Sequence, residues 1–406
     1  KYSKYNLPNV VVGKDTLTKT DLIRRRWLDN YFFGNTFSLD FNSFKKLSAS
    51  TGGGWNQYSG EHYGEIIWAR NAGNIENEHR YYFNTGKKSD VNLYGKVYYQ
   101  LTSKLNAFAD LQVRKVVHTI DGIDNNMLQL AYDNAYTFFN PKLGATYQVT
   151  DQSAVYASYS VGNREPNRDD FTSSTALLFP KSERLHNVEA GFRMQKNIWA
   201  FSANYYLMSY QNQLVLTGQI NDVGSAIRTN VPKSYRTGIE LEGAIAIHKK
   251  LKWNANATFS QNKISNFTEF VVNYDTGDYQ TNHFTKTNIS FSPSVIAGSQ
   301  LVYMPKKQLE IALLSKYVGK QYLDNTTNEA RKLDAYFTND IRISWALRPT
   351  WMKEIAFNLL VNNIFNQKYE SNGYTYGYIA GNQLTQENFY FPQAGTNFLL
   401  GINFKF

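Results

Sequence analysis

The final stretch of the chain repeats with a period of two. In Asn397–Phe406, Phe398, Leu400, Ile402, Phe404 and Phe406 share one parity. Asn397, Gly401, Asn403 and Lys405, together with Leu399, share the other. That period puts one set on each face of a β-strand. The apolar face carries no charge and has a ring at each end. Upstream the pattern recurs. Leu105, Ala107, Ala109, Leu111 and Val113 alternate with Asn106, Asp110, Gln112 and Arg114. Ile239, Leu241, Gly243, Ile245 and Ile247 alternate with Glu240 and Glu242, and Ile341, Ile343 and Trp345 with Asp340 and Arg342. Ionised groups confined to one parity mark a wet wall, because isolated charges do not face hydrocarbon. A soluble sheet with one solvated face gives the same alternation.

A chain of 406 residues exceeds one ordinary soluble core. Strands added around a ring escape that limit. No apolar run reaches the length of a membrane helix, and mean hydropathy is −0.48. A transmembrane barrel gives the same low value, since each strand is only half apolar. Aromatic residues make up 16%, with 30 Tyr, 26 Phe and 7 Trp, a content that suits interfacial girdles or ligand-contacting loops. An aromatic-rich β-sandwich stays open on composition alone. With 0 Cys, the sheet itself has to hold the protein together. The net charge of +10 is dispersed or gathered at turns, without interleaved aromatics, so no nucleic-acid partner is expected. The chain starts at Lys1-Tyr2 without Met or signal peptide, and is expected to be a mature or truncated segment.

Connections alternate in length. Tight turns are expected at 42–44, 102–104, 150–152, 196–197, 248–250, 305–307 and 349–350. Long segments are expected over Gly54–Lys88, Ile120–Asn134, Gly162–Arg184, Gln211–Ser234, Phe267–Lys286, Gln321–Lys332 and Asn366–Tyr390, with Gly52-Gly53-Gly54 breaking a strand. The spacing predicts an all-β, antiparallel transmembrane β-barrel with roughly sixteen strands present, short periplasmic turns and long extracellular loops. Asp21–Leu28 and Gly34–Phe41 are read as separate runs. Arg24-Arg25-Arg26 would lie above the lipid, and Pro141 and Pro293 interrupt two runs.

Four stretches resemble TonB-dependent outer-membrane receptors of Bacteroidota type. They are Leu22–Gly34 (LIRRRWLDNYFFG), Gly52–Gly64 (GGGWNQYSGEHYG), Asn163–Phe171 (NREPNRDDF) with Glu183-Arg184 and Val188–Phe192, and Val361–Tyr369 (VNNIFNQKY) with Tyr374. The terminal Phe406 resembles the closing residue of bacterial outer-membrane barrels. Such receptors have about 22 strands and a plugged lumen. Against that plan residues 1–406 read as the C-terminal portion of the barrel, without plug domain or first strands. The resemblance implies active uptake, across the bacterial outer membrane, of a scarce bulky nutrient such as a ferric siderophore, haem or cobalamin. It implies as partners the outer-membrane lipid and the TonB–ExbB–ExbD complex, and leaves room for a surface lipoprotein. A passive sixteen-stranded porin is the alternative, and a soluble β-rich adhesin a third.

No catalytic pattern is present, so no enzyme and no cofactor are expected. There is no phosphate loop and no Gly-x-Ser-x-Gly elbow. His62, His79, His118, His186, His248 and His283 lack metal-ligand spacing. Asp121–Asn126 lacks the spacing and the terminal Glu of a calcium loop. Candidate ligand contacts are therefore loop aromatics and charges. Trp55, Tyr58, His62 and Tyr63 form one group, Tyr374, Tyr376 and Tyr378 another. Rigid amphipathic rings capture bulky ligands at low entropic cost, although a girdle or loop packing explains them equally. Arg164, Glu165, Asn167, Arg168 and Asp169 could hold a polar ligand or form a salt-bridged scaffold.

Overall fold

The computed structural model describes residues 1–172, 179–220 and 224–406, apart from the side chains of Ser43 and Phe44. Two compact units are present. The described part of the first is 1–99, 108–141 and 165–172; that of the second is 100–107, 142–164, 179–220 and 224–406.

Five strands run in sequence order through the first unit: β1 (Leu22–Phe44), β2 (Leu47–Ala69), β3 (His79–Gln100), and parts of β4 (Leu105–Ile123) and β5 (Gln129–Thr150). The short helix α1 (Arg168–Thr172) belongs to this unit. An N-terminal turn, Tyr2–Tyr5, closes over the loop ends of the strands. There Tyr2, Leu7, Ile66, Tyr81 and Tyr82 form a buried cluster, and the Tyr2 hydroxyl donates to the Asn71 carbonyl at 2.6 Å.

The second unit starts with β6 (Ser153–Arg164), β7 (Glu183–Gln195), β8 (Trp199–Ile220) and β9 (Ala226–His248). Next come β10 (Leu251–Asn273), β11 (Tyr279–Asn288), β12 (Val295–Lys306) and β13 (Leu309–Val318). Last are β14 (Tyr336–Leu347), β15 (Glu354–Asn362), β16 (Glu370–Ala380), β17 (Gln383–Pro392) and β18 (Asn397–Lys405). Neighbours pair antiparallel, with three departures, one of them a short parallel pairing of β10 with β16 through Val272 with Tyr378 and Asn273 with Ile379. β10 pairs with β11 over its outer part and with β12 over its turn-side part, and Pro293 sits in the break between those two. β15 pairs directly with β18, while β16 and β17 form a hairpin inserted between them in sequence. A buried cluster, Val215, Val231, Ile264, Phe267 and Ile289, again lies toward the loop ends.

Register turns the alternation into rows. Directly paired residues share a face. Trp199, Ile245, Trp253, Leu301, Leu313, Ile341, Val361 and Phe398 form one unbroken row of cross-strand partners, all apolar. The row Ser202, Glu242, Asn256, Gly298, Lys316, Thr338 lies on the opposite parity. Asp340 and Arg342 share that polar face with Thr338, while Trp345 pairs through Phe357 with Ile402. A cavity of about 1200 Å³ opens on the polar face, lined by Arg193, Glu242, Asn256, Lys316 and Asp340 among others.

The described residues hold eighteen long strands against the roughly sixteen expected. Asp21–Leu28 and Gly34–Phe41 are one strand, and β11, β16 and β17 occupy stretches read as loops. Gly52-Gly53-Gly54 continues β2 rather than breaking it, and the turn expected at 42–44 falls at Lys45-Lys46. The cause is length. A strand of 22 or 23 residues is roughly 75 Å long, whereas crossing a bilayer takes about 9–11 residues. The outer halves of these hairpins extend past the bilayer, where no hydrocarbon enforces opposite chemistry on the two faces and the period of two loses its contrast. The loop-end connections shrink to 70–78, 124–128 and 274–278. Residues 173–178 of the Gly162–Arg184 connection and 221–223 of Gln211–Ser234 lie outside the described residues.

Candidate ligand-facing site

β2 and β3 set Tyr58 opposite Lys88, His62 opposite Asn84, and Asn56 opposite Asp90, all on the polar parity of the first unit. The segment 165–172 packs against these side chains. Glu165, 7% exposed, accepts from Lys88 Nζ at 2.5 Å and from Arg114 Nη1 and Nη2 at 2.8 and 2.9 Å. Arg114 also donates from Nε to Asp90 at 2.9 Å. Burial alone would raise the Glu165 carboxyl, but Arg114 and Lys88 outweigh it and hold it below its ordinary value.

One turn further, Arg168 Nη2 donates to Asn84 Oδ1 at 2.8 Å, and the fully buried Asn84 amide donates to the Ile123 carbonyl at 2.9 Å. Gly122 permits this approach. At φ +117 a Cβ there would sit 2.5 Å from the Phe83 carbonyl oxygen. Burial pushes the Arg168 guanidinium below its ordinary value without threatening its charge. Asn167 and Asp170 cap the helix reciprocally: Asp170 N–H donates to Asn167 Oδ1, and Asn167 N–H to Asp170 Oδ2. Phe171 anchors the far end, its ring 5.7 Å from His118 and 5.2 Å from Tyr132. His62 Nε2, His118 Nδ1 and Arg168 Nε are buried with no hydrogen-bond partner among the described residues.

Of the twelve sequence candidates, the structure brings Tyr58, His62 and Arg168 to one face, with Asn167 and Asp169 at its edge. Glu165 is consumed as the bridging anion beneath it. Trp55 and Tyr63, grouped with Tyr58 by sequence, point to the opposite face because their parity is odd. Tyr63 stacks there between Trp27 and Phe83, 6.3 Å from each. Arg25 lies over Trp27 and pairs with Glu65 and Glu78, each at 2.9 Å.

In the second unit, Arg164 pairs with Glu183 at 3.1 Å. Tyr374, Tyr376 and Tyr378 share one side of the β16–β17 hairpin. Tyr374 stacks on Phe389 at 4.8 Å and Tyr376 on the same ring at 5.8 Å. The other side of that hairpin, with Thr375 and Ile379, is the buried one. It meets the connection after β13, where Arg331 reaches Glu269 at 2.5 Å and Asp324 at 2.7 Å, and Asn325 donates to the Leu216 carbonyl at 2.6 Å. Sequence reading missed Asn84, Lys88, Asp90 and Arg114 of the first unit and Glu269, Asp324 and Arg331 of the second. For Lys88 the signal was the even parity of β3, hidden while Gly54–Lys88 was taken as a loop. Among the described residues no group of three or more His, Cys, Asp or Glu gathers as a metal site.

The family described as TonB dependent receptor-like, beta-barrel matches residues 1–364. The chain belongs to this family of bacterial outer-membrane β-barrels. Among solved structures it resembles the ferric-catecholate import receptor Fiu from K12 E. coli, at 16% identity and TM-score 0.66 over 93% of this chain and 55% of that one. It also resembles the siderophore receptor PiuA from Acinetobacter baumannii, at 15% and 0.69 over 94% and 56%. The copper transporter OprC is similar at 14% and 0.71 over 94% and 57%. The chain thus spans little more than half the length of each of these structures. No curated protein matches by sequence.

Proposed function

We propose that this barrel serves TonB-dependent active uptake of a scarce, bulky nutrient of the ferric siderophore, haem or cobalamin class, as a transporter rather than an enzyme. The observation that carries this reading is the polar face of the first unit. Tyr58, His62 and Arg168 lie together there, with buried nitrogens on His62 and Arg168 that no group among the described residues satisfies. Ligands of these classes present anionic oxygens and flat conjugated rings, which a guanidinium and a phenol suit. Asn167 and Asp169 would border the bound ligand, and Glu165 would hold the surface in place. Force for release would come from the TonB–ExbB–ExbD complex, and a surface lipoprotein could cover the loops. The three similar structures are an import receptor, a siderophore receptor and a copper transporter by their own descriptions, which supports the class of cargo without choosing a member.

The test is accumulation of labelled ferric siderophore, haem or cobalamin by cells carrying this receptor alone. Uptake of one ligand is expected to stop when TonB is deleted or a protonophore is added. Arg168→Ala removes a charge-assisted donor worth about 1.5–3 kcal/mol, so the apparent affinity should fall about 10- to 100-fold. Swelling of receptor-loaded liposomes in small sugars, with uptake indifferent to TonB, would replace this reading with the passive porin.

A further inference from the structure

The turn end of the second unit carries a charge pattern that ligand uptake does not use. Successive strand pairs end in Lys196, in Lys249-Lys250, in Lys306-Lys307 and in Lys353, all exposed. Backbone bonds tie each of these turns to the next. Ala246 N–H donates to the Ile198 carbonyl at 2.8 Å, Met304 N–H to Lys250 at 2.8 Å, and Ala346 N–H to Gln308 at 2.9 Å. The lysines therefore stand side by side along one rim. Opposing charge is sparse: Asp151 lies on this rim, and Glu354 is engaged by Arg348 at 3.2 Å.

Immediately beside the lysines lies the apolar parity. Ile198, Ile247, Trp253, Trp345 and Trp351 are 61, 55, 45, 47 and 72% exposed, and Lys196 Nζ lies 5.6 Å over the Trp199 ring. Tryptophan at the edge of an apolar band marks the headgroup level of a bilayer, and lysine stems lie along apolar surface with their ammonium groups turned to phosphate. Short turns of outer-membrane barrels face the periplasm. We infer that this rim binds anionic phospholipid headgroups of the periplasm-facing leaflet, fixing the depth at which the strands sit.

Each lysine near an anionic surface contributes about a fivefold preference at low salt. The test reconstitutes the receptor, with any further segments of its chain in place, in phosphatidylcholine vesicles. Brominated phosphatidylglycerol or brominated phosphatidylcholine then supplies the quencher of tryptophan fluorescence. Brominated phosphatidylglycerol is expected to quench at about one tenth the concentration of its zwitterionic counterpart. The preference should vanish at about 1 M salt, where screening acts over ~3 Å. It should also vanish in Lys249→Gln/Lys250→Gln/Lys306→Gln/Lys307→Gln. Equal quenching by both lipids in the unmodified receptor at low salt would overturn the inference, whether or not the variant folds. So would an unchanged preference in a folded variant, or retention of poly-glutamate in place of any lipid preference.

Discussion

Replacing Arg331 by methionine is expected to cost about 3–5 kcal/mol, because it strands the buried carboxylate of Asp324 and the half-buried one of Glu269 in the second unit. The Arg331 side chain is 8% exposed, and its partners Asp324 and Glu269 are 6 and 16% exposed. Methionine keeps most of the volume, so the loss is electrostatic rather than a cavity. The connection after β13 loses its central tie, and amide exchange is expected to accelerate across the short pairing of Gln321–Tyr322 with Lys332–Leu333. Denaturant unfolding of the refolded barrel reads the energy, and exchange mass spectrometry reads the location. Adding Asp324→Asn and Glu269→Gln should restore most of the stability, since a neutral trio carries no stranded charge. A change below about 0.5 kcal/mol in Arg331→Met, typical of surface substitutions, would mean the pairs are solvated.

Glu165→Gln in the first unit is expected to cost a similar amount, again about 3 kcal/mol or more. It leaves Arg114 with Asp90 and takes from Lys88 the carboxylate it pairs with, so one positive charge stands unbalanced beneath α1. Proteolysis within 165–172 should speed up, and ligand affinity should fall with it, because Arg168 is positioned by this segment. Acid should mimic the substitution. The folded-state pKa of Glu165 is depressed, so its stabilisation is fully present above the ordinary carboxylate value of 4.5. That stabilisation is lost as pH falls from 4.5 through the lower folded value. Protection of 165–172 that stays constant between pH 7 and pH 3 would contradict the role assigned to Glu165.

What the sequence made legible follows from where contrast exists. The rows Trp199 to Phe398 and Ser202 to Thr338 were readable as parity, since hydrocarbon on one side and water on the other enforce opposite chemistry at each step. Gly54–Lys88 and Asn366–Tyr390 were not, because outside the membrane both faces of a hairpin tolerate polar residues. The same loss misassigned Trp55 and Tyr63. Closeness in sequence grouped them with Tyr58 and His62, and a strand sends neighbours to opposite faces. Glu165 was visible as a charge in a loop, but its partners Lys88 and Arg114 come from distant strands. A pairing across 77 residues leaves no local pattern. Arg331 with Asp324 and Glu269 was hidden for the same reason.

The chain contains 0 Cys, so one thiol can be introduced at a time without background. The most direct measurement is a nitroxide scan along β9 from Thr237 to Ile245 in lipid vesicles, comparing collisions with oxygen and with a water-soluble nickel chelate. Oxygen accessibility is expected to peak at Ile239, Leu241, Gly243 and Ile245, and nickel accessibility at Gly238, Glu240, Glu242 and Ala244. Profiles without a period of two, or with oxygen maxima at Glu240 and Glu242, would contradict a wall that meets lipid on one parity and water on the other.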